Sequence, residues 1–409
     1  MRTTLPEERL EKGWSRVRFG DVVAQVRDRV DPEESGLERY VAGEHMDTDD
    51  PHIRRWGTIG EGYLGPAFHM RFKPGHVLYG SRRTYLRKVA VADFEGITAN
   101  TTFVVEPRDP NVLLPEFLPL IMQAEPFHAY SISQSKGSVN PYINFSDLVP
   151  YELDLPPAET QREIVELLGA GDSVVERLGD AVNSARTVYR SVAASLLSSG
   201  RSDSIDPAEW MPDGWECSRL ADLVDASSPI CYGIVQVGRD VPDGIPTLQI
   251  KDLSGDFRSG VHRTAASIEA RYSRSRVQPG DVLVSIEATV GEVTTAPAWF
   301  HGNIGRHVAR VRIDSAKLIS QFFVHLYRSP PFIDYVRSLL TGSTRAELSI
   351  GVLRELLIPH PQLDEQIRIA DALDSVLRCE MSLDERRKLA REVNRSMLHR
   401  TLETPVTHQ

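Results

Sequence analysis

Ala185-Arg186-Thr187-Val188-Tyr189-Arg190-Ser191 returns 205 residues later as Ala390-Arg391-Glu392-Val393-Asn394-Arg395-Ser396, with five of seven positions identical. The same offset of 205 relates Pro74-Gly75-His76-Val77-Leu78 to Pro279-Gly280-Asp281-Val282-Leu283, and Gly137-Ser138 to Gly342-Ser343. Leu148, Gln161 and Ile164 answer Leu353, Gln366 and Ile369 in the same way. Near the start of each half, Gly13-Trp14 and Asp21 match Gly214-Trp215 and Asp222 at an offset of 201. An offset held over so many windows identifies two copies of one unit, with a period far too long for a solenoid of short repeats.

Each copy divides into a globular and a helical part. Residues 1–155 and 201–360 are punctuated by Gly and Pro and carry short strand-like runs, among them Val77-Leu78-Tyr79, Phe103-Val104-Val105 and Val282-Leu283-Val284. They read as α+β domains. Residues 158–198 and 363–403 contain no proline and follow Pro156-Pro157 and Pro359-His360-Pro361, with Thr160 or Asp364 as candidate N-caps. In the first, Leu168, Gly171, Val175, Leu178, Val182, Ala185, Tyr189, Val192 and Leu196 alternate steps of three and four, the spacing of a coiled-coil seam. The second seam is thinner: Leu373, Val376, Leu383, Ala390 and Met397, interrupted by Arg387 and Asn394. The spacing predicts that the two helices pack on each other as an antiparallel coiled coil, each about 60 Å long at 1.5 Å per residue. The expected division is therefore 1–155, 156–200, 201–360 and 361–409, with a globular domain at each end of a spacer and a pseudo-twofold relating the copies.

The 409 residues include 41% hydrophobic and 25% charged residues of mixed sign, which excludes a fully disordered chain. No apolar run is long enough to span a membrane, and Met1–Lys12 has no apolar signal core, so a cytoplasmic protein without membrane association is expected. Three cysteines, Cys217, Cys231 and Cys379, without ligand spacing argue against a disulfide framework or a zinc site. The net charge of −10 does not advertise a nucleic-acid binder, so any such face must be a local stripe.

Three fragments resemble pieces of enzymes, and each fails on context. Gly169-Ala170-Gly171-Asp172 is similar to an S-adenosylmethionine turn but sits inside a helical segment, and the second copy has Asp374-Ser375-Val376-Leu377 there. Ser329-Pro330-Pro331-Phe332 resembles an amino-methyltransferase loop, yet its Pro-Phe-x-x-Tyr pattern recurs at Pro126, Phe127 and Tyr130 and so reads as architecture. Gly60-Glu61-Gly62 is a lone loop pattern. There is no phosphate-binding loop, zinc-protease motif or nucleophile elbow, and no metal site is expected.

Two variable α+β domains, each followed by a long helix entered through Leu155-Pro156-Pro157 … Gln161 … Ile164 and Ile358-Pro359-His360-Pro361 … Gln366 … Ile369, resemble the specificity subunit of a type I restriction–modification system. Pro-Gly-His in the first copy and the polar second seam depart from the pattern. The resemblance implies a non-catalytic chain whose two target recognition domains read an asymmetric, bipartite DNA sequence with a fixed gap. It also implies docking of two methyltransferase subunits, which hold the S-adenosylmethionine and modify adenine, and of motor–nuclease subunits. No cofactor is expected in this chain.

Base and phosphate readers are sought among Arg, Lys, Gln, Ser and Thr on loops, near aromatic rings. In the first domain these are Ser81, Arg82, Arg83, Tyr85, Arg87 and Lys88, then Gln134, Lys136 and Ser138. In the second they are Arg271, Arg274, Arg276, Arg306 and His307, with Ser343, Thr344 and Arg345. Partner docking is assigned to Gln161, Ile164, Arg186, Arg190, Gln366, Ile369, Arg391 and Arg395 on the helices. The competing expectation is a coiled-coil scaffold for protein partners that does not bind DNA, favoured by the acidic charge.

Overall fold

A computed structural model describes residues 13–200, 204–287, 290–340 and 347–402. In the first half the strands are β1 (Ser15–Arg18), β2 (Val23–Val26), β3 (Arg39–Val41), β4 (Gly57–Thr58), β5 (Phe68–Phe72), β6 (Val77–Gly80), β7 (Val89–Val91), β8 (Gly96–Ala99), β9 (Thr102–Pro107) and β10 (Glu152–Leu155). The second half supplies β11 (Glu216–Arg219), β12 (Cys231–Tyr232), β13 (Ile245–Leu248), β14 (His262–Thr264), β15 (Val282–Ser285), β16 (Val293–Thr295), β17 (Asn303–Ile304), β18 (Val308–Val311) and β19 (Leu357–His360). The helices that matter for function are α1 (Leu118–Gln123), α2 (Glu125–Ser133), α3 (Ala158–Leu197), α4 (Ser320–Arg328), α5 (Pro330–Ser338) and α6 (Leu363–Leu402).

Sheet order repeats with the sequence. The pair β1-β10 corresponds to β11-β19, and β2-β9-β6-β7 corresponds to β12-β18-β15-β16. The parallel pairing of β3 with β8 corresponds to that of β13 with β17. The Pro-Gly turn that feeds β6 and β15 explains one of the repeated motifs. Gly75 and Gly280 adopt φ of 88° and 83°, where a side chain would be strained, and donate to Ala92 O and Ala296 O at 2.8 and 2.9 Å. The His-for-Asp departure is neutral for the turn. His76 Nδ1 accepts from the Lys73 amide at 3.1 Å, as Asp281 Oδ2 accepts from that of Gln278 at 2.7 Å.

Two compact units result. One runs to Leu178 and takes in the chain from Glu385 onward, and the other spans Gly179–Asp384. The boundary cuts both long helices, so each unit is a globular part with a piece of each helix rather than one of four consecutive blocks. The reason is hydrophobic. In the first unit, Ile164 and Leu168 of α3 and Leu398 of α6 join Phe19, Phe117 and Phe127 in one core. In the second, Ala193 and Leu197 of α3 and Ile369 and Leu373 of α6 join Trp210, Phe322 and Phe332. The beginning of α3 thus meets the end of α6 in one unit, and the end of α3 meets the beginning of α6 in the other, which makes the pair antiparallel. The seam positions of both helices are buried or half-buried, including the polar Arg387 and Asn394.

Candidate nucleic-acid interface

The two polar loops of the first domain, far apart in sequence, are stitched into one face. Arg83 N donates to Pro141 O at 2.6 Å, Ile143 N to Ser81 O at 3.0 Å, and Lys136 and Tyr142 exchange both main-chain bonds at 2.8 and 2.9 Å. Gly137, with φ of 91°, turns the second loop. Thr84 Oγ1 and Ser135 Oγ share a hydrogen bond of 2.6 Å beneath the seam. The face presents Arg82, Arg83, Gln134, Ser138 and Asn140 to solvent, with Tyr85 52% and Val139 91% exposed. The Arg82 guanidinium lies 5.1 Å from the Tyr142 ring centroid, and Arg83 Nε donates to Asn140 Oδ1 at 3.2 Å. Arg83 and Arg87 hold φ of 50° and 52°, a left-handed conformation that costs energy in a non-glycine residue and is stored where a loop must aim side chains.

Other expected readers in this loop are engaged internally. Ser81 is buried and its hydroxyl donates to Thr101 O at 2.7 Å. Arg87 lies between Asp49 at 2.8 Å and Glu125 at 2.7 Å. Lys88 donates to Gly43 O, and Lys136 Nζ pairs with Asp147 at 2.8 Å, holding that carboxyl below its usual range. These four build the loops rather than extend from them.

In the second domain Arg271, Arg274 and Arg276 stand exposed on or beside the turn Ala270–Ser275. Arg276 is clamped by Glu269 through two bonds of 2.7 and 2.8 Å, whereas among the described residues Arg271 and Arg274 have no ion pair. Arg306 Nε contacts His307 Nε2 at 2.9 Å, and His307 in turn meets Glu287. Ser343, Thr344 and Arg345 lie outside the described residues. Sequence reading missed a paired feature. Arg39 stacks over Trp56 at 4.4 Å beside Phe94, and Arg258 over Trp299 at 4.2 Å, so each domain exposes a guanidinium on an indole. The signal was available only in the alignment of Phe94 with Trp299 at the repeat offset. The Gly60-Glu61-Gly62 loop also holds out Tyr63, 91% exposed.

The helix assignments need correction. Gln161 and Gln366 are fully buried, and Ile164 and Ile369 sit in the cores of their own domains. Gln161 Oε1 accepts from Leu114 N at 2.9 Å while Nε2 donates to Val112 O and Pro156 O at 2.8 Å. Gln366 repeats all three bonds, with Ile319 N at 2.8 Å, Lys317 O at 3.2 Å and Pro361 O at 2.9 Å. The repeated glutamine brackets each helix to its domain and is unavailable to a partner. Arg391 and Arg395 turn to their own domain as well, approaching Asp50 at 3.6 Å and Asp49 at 3.5 Å. Arg186 pairs with Glu380 at 2.6 Å, leaving Arg190 exposed and without an ion pair among the described residues. The exposed apolar side chains of α3 are Leu167, Val174 and Val188, spaced at multiples of seven, and those of α6 are Ile367, Met381, Leu389 and Val393.

The enzyme-like fragments are architectural. Gly169-Ala170-Gly171-Asp172 lies within α3. A Cβ on Gly171 would fall 2.4 Å from Asn394 Oδ1, so this glycine makes room for the polar residue of the facing seam. Ser329 and Phe332 are buried at the start of α5. No helix among the described residues is long and apolar enough to cross a membrane.

The profile of the type I restriction modification DNA specificity domain matches residues 11–177 and again 212–391. The chain is 26% identical over 273 residues to the EcoBI specificity subunit of Escherichia coli, spanning 62% of this chain and 57% of that protein. It is 28% identical over 351 residues to the HindI specificity subunit of Haemophilus influenzae, covering 66% of this chain and 73% of that one. The fold is similar to the type I system S subunit from M. genitalium, with a TM-score of 0.58 at 12% identity over 95% of this chain and 96% of that one. A second solved chain, from a structure of type I R-M complex assembly and conformational transition, gives 0.55 at 22% identity over 97% and 98%. The duplicated architecture and the two matched domains agree: the chain belongs to the family of type I restriction–modification specificity subunits, with two DNA-recognition domains.

Proposed function

We propose that this chain is the non-catalytic reader of a type I complex, each domain recognising one half of a bipartite, asymmetric DNA target while the helix pair fixes the gap. The observation that carries the reading is the stitched loop face of the first domain, where exposed arginines, amides and tyrosines project from main chain held by its own hydrogen bonds. Such groups supply bidentate base contacts and phosphate anchors, and a rigid loop loses little entropy on binding. Arg82, Arg83, Tyr85, Gln134 and Ser138 in the first domain and Arg271, Arg274 and Arg306 in the second are the proposed contacts. Differing readers in the two domains favour differing half-sites.

Two methyltransferase subunits dock on the helices, and motor–nuclease subunits join through them in the cytoplasm. The exposed Leu167, Val174 and Val188, with Arg190, favour this docking, because apolar residues at heptad spacing suit a partner helix. S-adenosylmethionine and adenine modification belong to those partners. The test is a methylation map of the host genome with and without the gene. Loss of one bipartite motif is expected, and an unchanged map in a strain expressing the complex would refute the reading.

A further inference from the structure

The second domain holds a cavity of about 350 Å³ whose lining includes Arg274, Arg276, Arg310 and Arg312. Two of these charges are neutralised. Arg312 takes Asp281 through two bonds of 2.7 and 2.8 Å, and Arg276 takes Glu269 likewise. The other carboxylate in the vicinity, Asp225, accepts from Ser227 N at 2.9 Å and Ser227 Oγ at 2.7 Å.

Arg310 is different. It is 2% exposed on β18, a strand flanked on both sides by others, and its Nη2 donates to Pro229 O at 3.0 Å and to Cys231 Sγ at 3.6 Å. Its Nε is buried with no hydrogen-bond partner. A buried guanidinium with an unsatisfied donor and no carboxylate hydrogen-bonded to it is costly unless an anion reaches it, and Asp225, which feels the Arg310 charge, does so without a bond to it. The fold does not require the charge. Arg310 pairs across the sheet with Leu283 just as Val104 pairs with Leu78, so the first copy has a fully buried valine at the same place. Ser228 Oγ, which accepts from Arg312 Nη1 at 2.9 Å, keeps its proton for a second acceptor in the cavity.

We infer that this cavity is a binding site for a phosphate-type oxyanion, held by Arg310 Nε and Arg274, with Ser228 donating. The cavity exceeds one phosphate group, which leaves space for an attached sugar. The DNA-recognition reading bears only on the source of the group, a backbone phosphodiester or a free phosphate. Guanidinium forks suit either.

Inorganic phosphate is titrated into the full chain by calorimetry and thermal melting, against chloride at equal ionic strength. The wild-type chain is expected to bind phosphate and melt higher with it. Arg310→Met should weaken phosphate at least tenfold while melting no lower than wild type in chloride, since the first copy tolerates an apolar residue there. Arg274→Ala, at an exposed position that folding does not depend on, should weaken it as well. Absence of a phosphate effect in the wild type, or wild-type isotherms in Arg274→Ala and every folded Arg310 variant, overturns the inference. A DNA titration in the two salts identifies the source: competition by phosphate, with R310M weakening all sequences alike, assigns the site to the DNA backbone. DNA binding indifferent to phosphate, with the isotherm intact, assigns it to a free anion. A chain that binds no DNA still gives the phosphate isotherm, so the two readings fail separately.

Discussion

His128 shows how a single side chain sets a pH dependence. It is fully buried against Phe127 and has no hydrogen-bond partner on either ring nitrogen. Burial, reinforced by the Arg87 charge, pushes it down to about 4 from its ordinary 6.5. The unfolded chain therefore takes up the proton first, and stability falls as pH drops from about 6.5 toward 4. Arg87, Arg395, Asp49 and Glu125, which face it, include both signs and temper the effect. His52 works in the opposite sense. Its Nδ1 contact with Asp50 at 3.1 Å raises it, so its contribution is full below 6.5 and fades as pH rises through the folded value. Replacing His128 by Leu should flatten the fall by about 2 kcal/mol between pH 7.5 and 5. Denaturant titrations at both pH values measure this, and equal slopes for the variant and the wild type would dismiss the account.

At the scale of elements, the glutamine bracket is the strongest constraint in the fold. Each copy places three hydrogen bonds around one buried amide, at positions related by 205 residues throughout: Gln161 with Leu114, Val112 and Pro156, and Gln366 with Ile319, Lys317 and Pro361. Substituting Leu at Gln161 leaves one amide and two carbonyls without that partner, at an expected cost of about 2–4 kcal/mol. Chemical denaturation checks it, and a neutral substitution would mean that water replaces the side chain. Gly171→Ala tests the helix seam: a methyl 2.4 Å from Asn394 Oδ1 forces the pair apart, so a loss of about 1–3 kcal/mol is expected, smaller with Asn394→Ala added. The repeat made both helices and their seam legible in the sequence, because a coiled coil depends on spacing alone. The misassignment of Gln161, Ile164, Gln366 and Ile369 has the same origin. The repeat marks positions that both copies need, and it does not say whether the need is a partner or the helix's own domain. Likewise Arg82 and Arg87 look alike in sequence, and only the approach of Asp49 and Glu125, distant along the chain, separates a projecting arginine from a structural one.

For the whole molecule, duplication keeps the framework and frees the reading surfaces to diverge. One polar pair shows the framework adjusting in step. His76 faces Glu106 at 3.3 Å in the first copy, where burial pushes the imidazole down, while Asp281 pairs with Arg312 at 2.7 Å in the second, so the carboxylate has moved to the other side of the same strand pair. The exposed residues do not follow one another in this way. Arg82 and Tyr142 have no arginine–tyrosine counterpart at the repeat offset, where Glu287 and Glu347 stand. Instead, the second domain presents Arg271 and Arg274 from a turn of its own. If each domain reads its half independently, substitutions in one face should alter one half-site and leave the other intact. Arg82→Ala, in the assembled complex, should relax the methylated motif on one side of the gap, with about 1–3 kcal/mol lost where the arginine contacts a base. Arg271→Ala should relax the other side, and neither should change the gap if, as proposed, the helices set it. Long-read methylation maps of the two strains decide the matter: relaxation on the same side in both, or a changed gap length, would be incompatible with two independent readers on one spacer.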